Sequence, residues 1–264
     1  MRSVTKRSAG KLNLLERTLP EGMLVDAAWM EAHGYSSSLR SQYVTAGWLE
    51  KPTRGTFKRP QGKLTWESVV ASLQHLMNYD VHVGGRTSLE LHGFGHYFQF
   101  AGPKRVELYT DAPLPGWLGK LPFEQTFRAH RVRTLFRPMV MNVRTTEPLE
   151  ADVPYPLIVA TRERAWIEML AAVPRQESFH HADKIGESLH TLGPRRMQTL
   201  LEACKSVKAK RLTLWFADRH GHPWLARIER DRIDTGSGKR MLVRGGRLDP
   251  TYLITVPKDL DAAS

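Results

Sequence analysis

Several residue types in this sequence stand at spacings that suggest chemistry. Gly236-Ser237-Gly238-Lys239 has the composition of a phosphate-cradling loop, where glycines bring backbone N–H groups to an anion and a lysine neutralises it. Such a loop also needs a glycine five residues before the Gly-Lys pair and a hydroxyl residue after it. Those positions hold Ile233 and Arg240, so the stretch reads as a glycine-rich turn exposing two cations. Gly93-Phe94-Gly95 would need a third glycine three residues on for a dinucleotide fingerprint, and Phe98 stands there. His180-His181, His190 and the pair His220/His222 match no standard zinc spacing, and with a single cysteine any metal would rely on His and Asp ligands. Cys204 falls on the apolar side of a helical run, the setting of a buried structural thiol rather than a nucleophile. Glu90 and His92 alternate along a strand-like run and have the types of an acid/base pair, but nothing supplies a third group. No catalytic residue, metal or cofactor is expected.

The basic residues form a stronger pattern. The chain of 264 residues carries 39 Lys and Arg against 27 Asp and Glu, a net charge of +12. An excess of that size favours a polyanionic partner, because Lys and Arg neutralise phosphates and release condensed counterions. The charge lies in two blocks. Residues 1–63 hold eleven Lys and Arg against five acids, and residues 195–247 hold fourteen against five. A hydrophobic share of 41% is enough for a folded core. The single cysteine, the basic and polar first eleven residues and the lack of a long apolar run point to a cytoplasmic protein with no membrane span.

These side chains need elements to position them. Leu12, Leu14, Leu15 and Leu19 recur at helical spacing before Pro20-Glu21-Gly22 breaks the run, and 24–32 reads as a second helix ended by Gly34. Three serines precede a third helix over 39–46, with Gly47 where a helix stops. Residues 48–50 and 56–59 are short strand candidates around the turn 51–55. Helix, helix, turn, helix, hairpin is the order of a winged helix-turn-helix. Further helices are expected over 65–77, 162–173, 179–192 and 195–204. Strands are expected over 97–100, 105–109, 127–132, 212–217, 224–229, 241–243 and 252–256, the segment 218–223 being the turn between two of them. The reading is an α/β (α+β) chain: a winged helix-turn-helix domain over 1–62, then a larger mixed α/β domain over 63–264, with a joint near the prolines of 147–157.

On a wheel of about 100° per residue, Leu39, Gln42, Tyr43 and Ala46 form one face of the third helix, taken as inward. Ser37, Ser41 and Thr45 fall opposite, flanked by Ser38 and Arg40. A face of short hydroxyls with one arginine and no carboxylate suits a helix in a DNA major groove, where Arg can read guanine. Lys51, Arg54, Lys58 and Arg59 follow as a cationic wing able to touch phosphate or minor groove. A winged helix that mediates protein contacts has the same outline. In the second block, Lys205, Lys208, Lys210, Arg211, Lys239, Arg240 and Arg244 make either a solvated face or a second surface for DNA backbone or RNA.

The segments 39–49 and Arg54-Gly55-Thr56-Phe57 resemble the N-terminal winged helix of AbiEi-type antitoxins, regulators of type IV abortive-infection toxin–antitoxin systems. The similarity continues through Gly84-Gly85-Arg86-Thr87-Ser88-Leu89-Glu90-Leu91-His92-Gly93, the run 206–212, Gly236-Ser237-Gly238-Lys239-Arg240 and Gly245-Gly246, spanning roughly residues 10–257. The resemblance implies an operon autorepressor whose N-terminal domain binds double-stranded operator repeats, with a C-terminal domain that supplies antitoxicity and aids repression. It also implies a nucleotidyltransferase-like toxin as functional partner, counteracted without a stable complex. The alternative from another class is an RNA- or protein-binding toxin antagonist whose winged helix is only a scaffold.

Overall fold

The structure, a computed structural model, describes residues 2–94, 104–138 and 143–260, with side chains from residue 10 onward. The chain forms two units. The first comprises residues 1–81, 112–127 and 148–158, and the second residues 82–111, 128–147 and 159–264. The first unit thus runs past residue 62, where the sequence suggests its end, and takes two later insertions.

In the first unit the elements are α1 (Arg2–Thr18), β1 (Leu24–Asp26), α2 (Ala27–Ala32), α3 (Ser37–Thr45), β2 (Thr56–Lys58) and α4 (Trp66–Ala71), the last running into a π turn over Ser72–Leu76. Residues 24–26 are a strand, not the start of the second helix. Asp26 caps that helix through Oδ1, which accepts from Trp29 N–H at 2.8 Å, so helix begins only at Ala27. β1 pairs antiparallel with β2, Val25 facing Phe57, and Glu50 adds an isolated bridge to Lys58. The 48–50 strand is therefore reduced to one residue. The core is apolar and closed: Leu15, Leu19, Met23, Leu24, Met30, Tyr35 and Leu49 are all buried. α4 belongs to this core, since the Ser72 hydroxyl accepts from Leu24 N–H at 2.9 Å and the Trp29 indole donates to Leu76 O at 2.9 Å. Each buried Leu or Met side chain contributes about 1.5–3 kcal/mol by leaving water.

The second unit is centred on a five-stranded sheet. Its strands are β3 (His82–Val83), β4 (Arg105–Tyr109), β5 (Thr126–His130), β6 (Thr146–Leu149) and β7 (Leu157–Ala160), in the order β5-β4-β3-β7-β6. β3 runs antiparallel to β4, with His82 opposite Tyr109, and parallel to β7, with Val83 opposite Val159. The helices are α5 (Gly85–Leu91), α6 (Val132–Leu135), α7 (Arg162–Ala172), α8 (Phe179–Glu187), α9 (Pro194–Ala203) and α10 (Val207–Arg219), followed by the hairpin β8 (Arg247–Asp249) and β9 (Ile254–Val256). The strand candidate 97–100 lies outside the described residues.

Three strand expectations fail here. Residues 212–217 lie within α10, which Ser206 caps by accepting from Ala209 N–H at 3.2 Å. This helix is buried on every side from Ala209 to Ala217, and a helix wrapped by core loses the 3.6-residue alternation that would have marked it. Residues 224–229 are largely a 3₁₀ turn over Pro223–Arg227, and 241–243 form no strand. The segment 218–223 consequently joins a helix to that turn. Around α10, Trp166 meets Phe216 edge-on at 5.5 Å and Phe179 meets Trp215 edge-on at 6.5 Å.

Candidate nucleic-acid interface

α3 begins at Ser36, whose hydroxyl accepts from Leu39 N–H at 3.3 Å, and ends before Gly47 at φ +76°, a conformation that favours glycine. Ser37, Ser38, Ser41 and Thr45 are exposed along it, as expected from the wheel. Arg40 is not. It is 8% exposed, and its guanidinium donates to Tyr35 O at 2.7 Å and Ala27 O at 3.4 Å while covering the Phe57 ring at 5.8 Å. Gln42 and Ala46, taken as inward, are exposed instead. The whole face is rotated by roughly 70° on the wheel. The reason is that Arg40 ties the helix to the carbonyls of its preceding turn, whereas Gln42 has no such use. The exposed face therefore carries Ser37, Ser38, Ser41, Gln42 and Thr45, uncharged throughout.

In the loop that follows, Thr53 N–H donates to the Thr56 hydroxyl at 3.1 Å and Gly55 turns at φ +83°. Lys51 and Arg54 are exposed, with the Lys51 ammonium 5.7 Å above the Phe57 ring. Lys58 is buried: its ammonium donates to Arg59 O, Pro60 O and Gly62 O at 2.8 to 3.3 Å and pairs with Glu50 at 3.0 Å. Arg59 is half-buried and pairs with Glu21 at 2.9 Å. Two of the four expected wing cations thus hold the loop together instead of facing outward.

The second basic block divides in the same way. Arg211 is 3% exposed, and its guanidinium donates to Gly238 O at 2.7 Å, Thr235 O at 2.8 Å, Gly236 O at 2.9 Å and Leu253 O at 3.1 Å. The Gly236–Lys239 stretch thereby turns its carbonyls toward a cation, the opposite of a loop that offers N–H groups to phosphate. Lys208 is half-buried, its ammonium bonded to Ala171 O at 2.7 Å and to Val173 O, and burial and then nearby Arg175 lower its pKa. Lys210 is buried, and Lys205 is exposed with its ammonium on Arg133 O at 2.7 Å. Lys239, Arg240 and Arg244 are exposed, and so is Arg247, which sequence reasoning counted but did not single out. This loop is pinned from behind. Arg240 N–H donates to Leu253 O at 2.8 Å, and the Thr255 hydroxyl accepts from Leu242 and Val243 N–H at 2.8 and 2.9 Å.

The residues with enzymatic types are occupied elsewhere. Glu90 lies on helix α5, not on a strand, and takes the Arg86 Nε–H at 2.6 Å; His92 Nε2 lies 3.1 Å from Ala160 O. The Asp183 carboxyl, despite its burial, is held down to about 2 by His220, whose Nε2 lies 3.0 Å away, and by hydrogen bonds from Arg219. Burial pushes the Cys204 thiol up. Among the described residues, no three His, Cys, Asp or Glu side chains are grouped to hold a metal ion, and no helix is long and apolar enough to cross a membrane.

No curated protein matches the chain. The crystal structure of the RV2827C protein from Mycobacterium tuberculosis is similar over 94% of this chain and 90% of that one, at 14% identity and a TM-score of 0.58, a likeness of fold. Residues 8–100 match the model of the transcriptional regulator, AbiEi antitoxin N-terminal domain, and residues 103–257 match that of the transcriptional regulator, AbiEi antitoxin, type IV TA system. With both units matched nearly throughout, the chain belongs to the AbiEi antitoxin family of type IV toxin–antitoxin transcriptional regulators.

Proposed function

We propose that this chain is a cytoplasmic antitoxin and transcriptional autorepressor that binds operator repeats of its own operon without catalysing a reaction. The observation that carries the reading is the uncharged face of α3, where Ser37, Ser38, Ser41, Gln42 and Thr45 are exposed beside Lys51 and Arg54. Short polar chains permit close approach to base edges, and the two cations meet phosphates. The order of two helices, a paired loop and the β1–β2 contact supports reading the first unit as a winged helix-turn-helix with α3 as recognition helix. In the second unit, Lys239, Arg240, Arg244 and Arg247 lie within nine residues that contain no acid, a pattern suited to nucleic-acid backbone. The functional partner is a nucleotidyltransferase-like toxin encoded alongside.

A mobility-shift assay on the native upstream region against random duplex tests this. Ser41→Glu places a carboxylate in the middle of the α3 face and is expected to abolish the preference for the native region, with melting unchanged. Equal binding of wild type to both duplexes overturns the reading. Stronger affinity for RNA than for either duplex favours the scaffold alternative.

A further inference from the structure

The second unit contains a cavity of about 280 Å³ that plays no part in the interface above. Two of its lining residues, Tyr109 and His130, belong to a stack of three rings. His82 lies 5.5 Å from Tyr109, and Tyr109 lies 4.7 Å from His130, with the planes inclined by 21° and 19°. A buried carboxylate holds each imidazole: His82 Nε2 lies 3.0 Å from Glu168 Oε1, and His130 Nε2 is bonded to Glu107 Oε2. Glu168 is otherwise saturated, accepting from Arg164 Nε–H at 2.8 Å and Gly85 N–H at 2.9 Å. The Gly84 backbone closes so tightly over this site that a Cβ there would collide with Glu168 Oε2 and the Tyr109 ring.

The outcome is a phenol clamped between two imidazoles. Burial first, then the charges of Glu168 and Glu107, push its pKa well above the ordinary value, so it remains a neutral O–H. Tyr109 is 4% exposed, and what remains exposed of it lines the cavity. Tyr109 lines the cavity together with His130, Arg131, Thr134, Gln176 and Ser206. A phenol on a cavity wall offers its O–H to an acceptor on a bound molecule.

Charge decides which end of a ligand goes in. The lining carboxylate Glu168 is matched by Arg164 and His82, and Glu107 behind the rings by His130 and Arg105. Among the described residues no free cation is left at the floor to hold an anion, so the group that meets Tyr109 is a neutral acceptor. Arg131 is exposed on the lining, with Arg133 two residues on and Lys205 bonded to its carbonyl. A neutral head with acceptors and an anionic tail is the pattern of a nucleotide, and its base also suits the amide of Gln176 and the ring of His130.

We propose that this cavity is a nucleotide-binding site, with a base acceptor on the Tyr109 hydroxyl and the phosphate outward at Arg131. The same chemistry is offered by a free mononucleotide and by the end of a nucleic-acid strand. Operator recognition through α3 does not enter into it.

Isothermal titration of the full chain tests the site with AMP, GMP, CMP and UMP, their nucleosides, ribose 5-phosphate and a 5′-phosphorylated single-stranded pentanucleotide. At least one mononucleotide is expected to bind below about 1 mM. Tyr109→Phe should weaken it about tenfold with native-operator binding unchanged. Arg131→Ala should weaken the nucleotide and leave its nucleoside unaffected, and this exposed position keeps the test sound if Tyr109→Phe lowers the melting temperature. Tighter binding of the pentanucleotide identifies a strand end as the source, and equal binding a free nucleotide. Absence of saturation by every probe, or wild-type affinity in both variants, overturns the proposal. Loss of operator preference in Ser41→Glu leaves this result unaffected, so the two readings fail separately.

Discussion

The two basic regions divide their cations differently between surface and interior. In the first, Arg40 and Lys58 are buried on backbone carbonyls, while Lys51 and Arg54, next to an uncharged helix face, are exposed. In the second, Lys210 and Arg211 are buried and Lys208 half-buried in the first turns of α10, while Lys239, Arg240 and Arg244 are exposed on the loop that Arg211 holds. A long cationic side chain beside an unpaired carbonyl finds a charge-assisted hydrogen bond there that bulk water does not better. Formal charge therefore overstates the phosphate-facing surface of both regions.

The largest test of this contrast is Arg211→Met. It takes the guanidinium from the carbonyls of Thr235, Gly236 and Gly238, while Leu253 O keeps the Arg240 N–H, and should lower stability by about 2–4 kcal/mol, read as a shift in urea midpoint. A loss below about 0.5 kcal/mol would place Arg211 with the surface cations instead.

Next in size is a pH effect belonging to the second unit. His222 is held down to about 4 from 6.5, by burial first and then by His190 and His220. A histidine with a depressed folded pKa contributes stability that is complete above pH 6.5 and lost as pH falls toward 4, by up to about 3 kcal/mol. Asp183, ionised down to about 2 against 3.8 unfolded, contributes above pH 4 and fades only below it, so the two windows separate. Melting between pH 7 and 4 should flatten in His222→Phe; an unchanged slope removes the assignment.

Arg40→Ala in the first unit should cost about 1–2 kcal/mol through its lost carbonyl bonds, with base preference retained once the protein is folded. Arg54→Ala and Arg244→Ala should leave melting unchanged and each reduce the salt slope of DNA binding by about 0.9, the value for one phosphate contact. If Arg40→Ala alters base preference while Arg54→Ala destabilises, the division between inner and outer cations is reversed.

Much of the first unit was legible from local signals. Gly47, Gly55 and the serines before α3 are punctuation that works within a few residues, and they place the helix and the turn correctly. The rotation of α3 was not legible, because Leu39, Tyr43 and Ala46 define one wheel and only the carbonyl of Tyr35 and the ring of Phe57 reveal that Arg40 belongs inside. α10 was misread for a related reason: a helix buried on all sides shows a continuous apolar run that length six cannot distinguish from a strand. Tyr109 gave no signal, since its stack joins residues 82, 109 and 130, and no local spacing connects them.

By itself, then, the sequence determined the charge of the chain, the punctuation of its helices, its family motifs and the hydroxyl character of one helix face. Those properties depend on composition or on neighbours within a turn. Tertiary structure alone decided which cations stay outside, which carbonyls claim the others, and where a neutral phenol meets a cavity. Each of those outcomes depends on a partner brought close from tens of residues away, and burial sets its strength.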